Sequence, residues 1–181
     1  MSLLTKLQLQ ESVAVENVFY KIKTGHTYWF RFAELAENEN ARYGDFVFLF
    51  AGDAPKNMSA GFKALVDFYA GKKELPRSDG NDASEKIIDY AIDADLIYSA
   101  FWKCYNIDLC ERELHWHKVR ALLTGLTDTR LNEVMSYRMY KGKDKEYLKM
   151  KRAWKLANGE TKENKASREK FMAKLEASKN E

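Results

Sequence analysis

The order of apolar and polar positions divides the chain into short elements. Residues 13 to 23, VAVENVFYKIK, keep a partial alternation at Val13, Val15, Val18, Tyr20 and Ile22. Alternation puts every second side chain on one face of a strand, and β-branched and aromatic residues suit that surface. Glu16-Asn17 supplies a turn, so the pattern predicts a small β-hairpin that ends at Thr24-Gly25. Thr27 is expected to cap a helix reaching about Glu39, with Trp29, Phe32, Leu35 and Ala36 at helical spacing. The run FVFLFA at 46 to 51 is apolar throughout, so periodicity alone does not separate helix from strand; helix is the favoured reading. Ser59 opens a further helix, with Phe62, Leu65, Val66 and Tyr69 on one face and Gly71 at its end.

Residues 72 to 84, KKELPRSDGNDAS, gather turn formers and predict an exposed loop rather than a domain boundary. Beyond it, Ile87, Ala91, Ala94, Tyr98, Phe101 and Tyr105 recur at spacings of 4, 3, 4, 3 and 4. That stripe predicts one helix of about five turns from Ser84, widened by Ile88, Ile92 and Trp102. Asn106 and Asp108 interrupt it. The next helix is expected from about Glu111 to Thr124, with Trp116, Val119, Leu123 and Leu126 as its face and Gly125 as its C-terminal cap. Asp128 or Thr129 caps another, bearing Leu131, Val134, Met135 and Arg138. A basic helix at 144 to 157 carries Tyr147, Met150, Trp154 and Ala157 on one side, and Asn158-Gly159 stops it. The expected fold class is therefore mainly α. It is a compact multi-helix domain over residues 1–158 with a small N-terminal β-hairpin, followed by a basic C-terminal helical tail, the Lys-rich extension 159–181.

Composition changes this picture in two places. Only 2 of 181 residues are proline and 9 are glycine, which argues against a turn-rich β-sandwich or a proline-rich linker. The net charge of +3 is uneven: residues 1–138 carry 17 basic and 20 acidic side chains, and residues 139–181 carry 13 and 7. A basic end attracts nucleic acid, an acidic partner or a neighbouring copy, and a solvated Lys/Glu helix explains it equally well. No apolar run approaches the ~18 residues needed to cross a bilayer, so no membrane partner is expected. The start, MSLLTKLQLQES, lacks the basic and apolar regions of a secretory signal, so a cytoplasmic location is the default expectation. Cys104 and Cys110 fit a reducing compartment as two partly buried thiols.

Candidate chemistry is sparse. Cys104, Cys110, His115 and His117 first resemble a metal site, but residues two apart on a helix point about 200° apart and the short ligand spacings are absent. His115 is expected to pack with its ring hydrogen-bonded, and His117 to look outward. Asp95 sits between Ile92 and Trp102, either as a buried acid with a partner or as an acid at the edge of the apolar face. No phosphate-cradling glycine loop and no nucleophile elbow occur, so neither an enzyme nor a bound cofactor or metal is expected. Tyr147 and Trp154 among the lysines suggest a stacking platform for single-stranded nucleic acid, but they fall on the presumed buried side, which argues against that partner.

The block from Ile87 to Arg138 carries several motifs together: D-A-D-x-I-Y-x-A-F at 93 to 101, Y-x-I-D-L at 105 to 109, L-H-W at 114 to 116, K-x-R-A-L-L-x-G-L at 118 to 126, and M-S-Y-R at 135 to 138. It resembles a tail-gene family of phages and prophages of Gram-positive bacteria, the family named after "gene product fifteen". TYWFRFAEL and FKALVDFYAGK look like the family's first helices, and the resemblance covers about residues 13 to 158. The motif residues are Asp93, Asp95, Tyr98, Phe101, Leu114, His115, Trp116, Leu123 and Arg138. His117 stands where the family pattern would have a second tryptophan.

The resemblance implies a tail assembly chaperone, without catalytic groups. Its partners would be the tape-measure protein and other tail proteins, with a homo-oligomer left open. It would work in the host cytoplasm and be absent from the mature virion. A structural tail component retained in the virion is the alternative, and a nucleic-acid-binding packaging accessory the remoter one. Independently of the resemblance, residues 160 to 181 are expected to be dispensable for folding and to aid association, or to be a solvated appendage. The residues expected to touch a partner are Trp154, Phe171 and Leu175, with Lys170 and Lys174 supplying charge.

Overall fold

The computed structural model describes residues 9–38, 40–71 and 86–156. They fall into two compact units. One lies within Met1–Arg77 together with Cys110–Thr124, the other within Ser78–Leu109 together with Gly125–Glu181. The fold is mainly α with one small hairpin, as the periodicity predicts.

In the first unit, strands β1 (Ser12–Val15) and β2 (Val18–Lys21) pair antiparallel, from Ser12 opposite Lys21 to Val15 opposite Val18. Glu16 and Asn17 form the turn with φ of 51° and 66°. Two positive φ values make the mirror-image turn whose twist matches the strands, and Asn tolerates that conformation well. Val13 and Val15 are buried on one face. Helix α1 (His26–Ala36) starts earlier than expected: Gly25, not Thr27, is its N-cap. The reason is tertiary, since the His26 amide donates to the Leu114 carbonyl at 2.8 Å and the chain needs no side-chain cap there. Trp29, Phe32 and Ala33 form the buried face, while Ala36 is exposed.

The apolar run at 46 to 51 begins in a tight 3-10 helix, Tyr43–Leu49, that buries Phe46 and Leu49, and Phe50 leaves it in extended backbone. Helix α2 (Met58–Ala70) is capped by Asn57, whose side chain accepts from the Ala60 amide at 3.1 Å, so Ser59 lies inside the helix rather than at its start. Gly71 ends it with φ +70°. Phe62, Leu65 and Phe68 are buried, and Val66 is exposed. Helix α4 (Trp116–Thr124) completes this unit. Its core is aromatic: Trp29 meets Phe68 at 4.6 Å between ring centroids, Phe46 meets Phe62 at 4.7 Å, and Tyr69 stacks on Trp116 at 5.0 Å.

The second unit corrects the long helix expected from Ser84. Residues 90–93 are turns, and helix α3 runs only from Ala94 to Tyr105. Two carboxylates explain the difference. Asp89 Oδ1 accepts from the amides of Ala91 and Ile92 at 2.9 and 2.8 Å, and Asp93 Oδ2 accepts from the Asp89 amide at 2.9 Å. Side chains that satisfy nearby amides in this way compete with helix hydrogen bonds. The buried face of α3 is Ile97, Ala100 and Phe101, and Ala91, Ala94 and Tyr98 of the expected stripe are exposed.

Helix α5 (Arg130–Met139) is capped by Thr129 with a reciprocal bond to Asn132, and it buries Leu131 and Val134. Helix α6 (Lys145–Ala153) is capped by Asp144 and has no buried residue. Tyr147, expected on a buried side, is 47% exposed, although its ring meets those of Tyr137 and Tyr140. Among the described residues no helix is long and apolar enough to cross a membrane. Residues 159–181 lie outside the described part.

Candidate functional site

The sequence motifs gather at two places, one in each unit. In the second unit, the last turn of α5 brings Arg138 against Asp93, the N-cap of α3. The guanidinium donates to both carboxylate oxygens, Nη1 to Oδ2 at 2.6 Å and Nη2 to Oδ1 at 2.8 Å. It also donates from Nε to the Trp154 carbonyl and from Nη1 to the Ile87 carbonyl, both at 2.8 Å. Asp93 is 1% exposed and Arg138 4%. A planar fork matches a carboxylate in two parallel bonds, and its remaining N–H groups here join two loops to two helices. The acid buried with a partner is thus Asp93, and Asp95 is exposed. Phe101 is fully buried. Tyr98 is exposed, and its hydroxyl donates to Asp108 at 3.1 Å.

Asp89 adds a second charged contact beside this pair, with the Lys86 ammonium donating to Oδ2 at 2.6 Å. Burial by itself raises the pKa of Asp89, but the Ile92 amide, Lys86 and the Ala91 amide together outweigh it and hold the carboxyl below its ordinary value. In the first unit, burial pushes the Tyr43 hydroxyl up, against a smaller opposing effect of its hydrogen bond to Ser59.

The first unit holds the L-H-W motif. The Leu114 amide donates to His26 Nδ1 at 3.1 Å while the Leu114 carbonyl receives the His26 amide. Trp116 donates from its amide to the Thr24 carbonyl at 2.7 Å and from its indole N–H to the Tyr69 carbonyl at 3.0 Å, with no exposure. His115 Nδ1 accepts from the His117 amide at 3.1 Å, so Nε2 carries the proton that meets the Gln10 carbonyl at 3.0 Å.

His117 does not look outward. Its Nε2 lies 2.8 Å from the Phe68 carbonyl and its ring stacks on Phe68 at 4.4 Å. The 200° argument fails because His115 precedes α4, which leaves the two rings 5.1 Å apart. Both are engaged with main-chain carbonyls. Among the described residues no group of three or more His, Cys, Asp or Glu side chains is placed to hold a metal ion. Leu123 is half-buried on α4.

Trp154, from the expected partner-binding set, is half-buried, with the Arg130 guanidinium over its ring at 5.4 Å. Phe171, Leu175, Lys170 and Lys174 lie outside the described residues. Cys104 directs its thiol toward the Thr127 carbonyl at 3.6 Å, whereas Cys110 is exposed rather than partly buried. All buried side-chain nitrogen and oxygen atoms among the described residues have hydrogen-bond partners. Each unit also leaves large apolar side chains exposed. Phe19 on the hairpin is 76% exposed, and Ile92 and Trp102 in the second unit are 59% and 50% exposed. Periodicity counted Ile92 and Trp102 as core; in the structure Ile92 lies in the turn before α3, and Trp102 lies off the buried face formed by Ile97, Ala100 and Phe101.

Residues 46–171, well over half the chain, match the family described as bacteriophage Gp15 protein. The chain belongs to that family. The match contains both motif clusters, from Asp93 to Arg138, and leaves the hairpin and α1 before its start. No curated protein and no solved structure matches the chain.

Proposed function

We propose that this phage protein is a tail assembly chaperone that binds the tape-measure protein and keeps it soluble while the tail tube forms. The observation that carries the reading is membership of the bacteriophage Gp15 protein family, taken together with the resemblance of the motif block at 87 to 138 to tail-gene products. Three physical points support it. A long helical tape measure with an apolar side aggregates unless covered. The chain exposes large apolar side chains, Val18 and Phe19 on the hairpin and Val66 on α2, on small helical and hairpin surfaces of the kind that pair with amphipathic helices. Many copies along one template bind by avidity without a strong single contact. The reading requires no catalytic group, cofactor or metal, and it places the protein in the host cytoplasm.

Co-expression tests it. The tape-measure protein of the phage that carries this chain should be insoluble alone, soluble with this chain, and recovered in complex with it. A tape measure equally soluble with and without the chain overturns the reading. Mass spectrometry of purified virions separates the alternative: a chaperone is absent, and a retained tail component is present in stoichiometric amount.

A further inference from the structure

The outer side of α3 carries an apolar stripe. Ile92 in the preceding turn, then Tyr98 and Trp102 one helical turn apart, are 59%, 36% and 50% exposed, opposite the buried Ile97, Ala100 and Phe101. Ionisable groups along the stripe are acidic: Asp95 is exposed in the first turn of α3, and Asp108 accepts from the Tyr98 hydroxyl. The cation on this helix, Lys103, is engaged with the Asp128 carbonyl. An apolar stripe with an acidic edge complements a helix that presents aliphatic or aromatic residues beside lysines.

The chain itself supplies such a segment close by. The Arg138 guanidinium bonds both the Trp154 carbonyl and Asp93, so the main chain passes the first turn of α3 just before the described part ends at Leu156, which is buried. Twenty-five further residues follow, and they contain Phe171 and Leu175 four apart, flanked by Lys170 and Lys174 four apart. In a helix those two pairs form adjacent stripes, one apolar and one basic. From Leu156 the intervening residues span far more than the about two and a half helical turns between Asp93 and Trp102.

We propose that the segment around Lys170–Leu175 docks in cis on the α3 stripe, with Phe171 and Leu175 on Tyr98 and Trp102 and with Lys170 and Lys174 toward Asp95 and Asp108. Hydrogen exchange on the full-length protein, read by mass spectrometry, tests this. Amides of 166–178 should exchange about tenfold more slowly than the free-chain rate, as expected of a weakly docked helix. Two substitutions should each abolish that protection: Trp102→Ala, and the pair Phe171→Ser with Leu175→Ser. Trp102 is half exposed, so its truncation should leave the melting temperature and the exchange of α5 unchanged, and the tail pair serves as a second test that leaves α3 intact. Free-chain exchange of 166–178 in the wild type overturns the proposal. So does protection that survives Trp102→Ala, or protection that disappears on dilution, which would place the contact between copies.

Discussion

Asp93 and Arg138, 45 positions apart in sequence, meet in two parallel hydrogen bonds at 2.6 and 2.8 Å, both side chains almost wholly buried. Taking two charges out of water is costly, and the pair holds only because the remaining guanidinium donors reach the carbonyls of Ile87 and Trp154. Asp93→Asn or Arg138→Met should therefore destabilise the protein by about 3–5 kcal/mol, because each leaves a buried charge without its partner. The double variant, with Asp93→Asn and Arg138→Met, should recover part of this but not all, since two carbonyls lose their donor. Urea unfolding of the three variants checks this. Additive losses would show that the two residues act independently.

Trp116 should be the anchor of the first unit. Its indole is fully buried, stacks on Tyr69 and donates to the Tyr69 carbonyl. Trp116→Ala should cost about 3–5 kcal/mol in urea unfolding, the usual range for a buried aromatic. Trp116→Phe should cost less, and what remains would reflect the Tyr69 carbonyl left without its donor. A loss below about 1 kcal/mol for the alanine variant would be incompatible with the packing around it.

The regular elements were legible where local and tertiary demands agree. Val13, Val15 and the Glu16-Asn17 turn define the hairpin, Gly71 ends α2, and Thr129 caps α5, because each rests on chemistry within a few residues. The start of α3 was not legible. The spacing from Ile87 to Tyr105 is helical, yet Asp89 and Asp93 capture the amides of residues 89, 91 and 92, and Arg138 from far along the chain stabilises that arrangement. Periodicity cannot register a partner 45 residues away. The same limit hid His117: two-residue spacing on a helix implied divergence, but the helix begins only at Trp116. The choice of Asp95 over Asp93 as the acid in an apolar setting follows from the same misplaced helix. The motif block itself, read as a whole, indicated the family correctly.

Gly71→Ala should destabilise by about 1–2 kcal/mol through the left-handed backbone alone. The glycine has φ +70°, and its amide receives no alternative geometry, since it donates to the carbonyls of both Asp67 and Phe68. A Cβ there would meet the Arg120 guanidinium, but that is the far end of a flexible side chain and can swing away. Gly71→Asn should cost less than Gly71→Ala, because Asn tolerates this conformation better. Thermal unfolding ranks the variants; alanine as benign as asparagine would mean that the turn relaxes.

Asp89 gives the protein an acid-sensitive element. Its folded pKa is held below the ordinary 3.8 by the Ile92 and Ala91 amides and by Lys86, against the opposing effect of burial. A depressed carboxylate binds fewer protons folded than unfolded, so its contribution is complete above its unfolded value and is lost as pH falls through the folded value. The loss therefore begins near about pH 4 and continues below it. Asp89→Asn keeps an oxygen that can accept from the two amides but removes the charge facing Lys86. At neutral pH it should be less stable than the wild type, and the difference should shrink on acidification below about pH 4. Urea midpoints of the two proteins from pH 7 down to about pH 2.5 measure the difference. A gap that stays constant, or widens in acid, would mean that the Asp89 carboxyl does not gain its stability from being ionised.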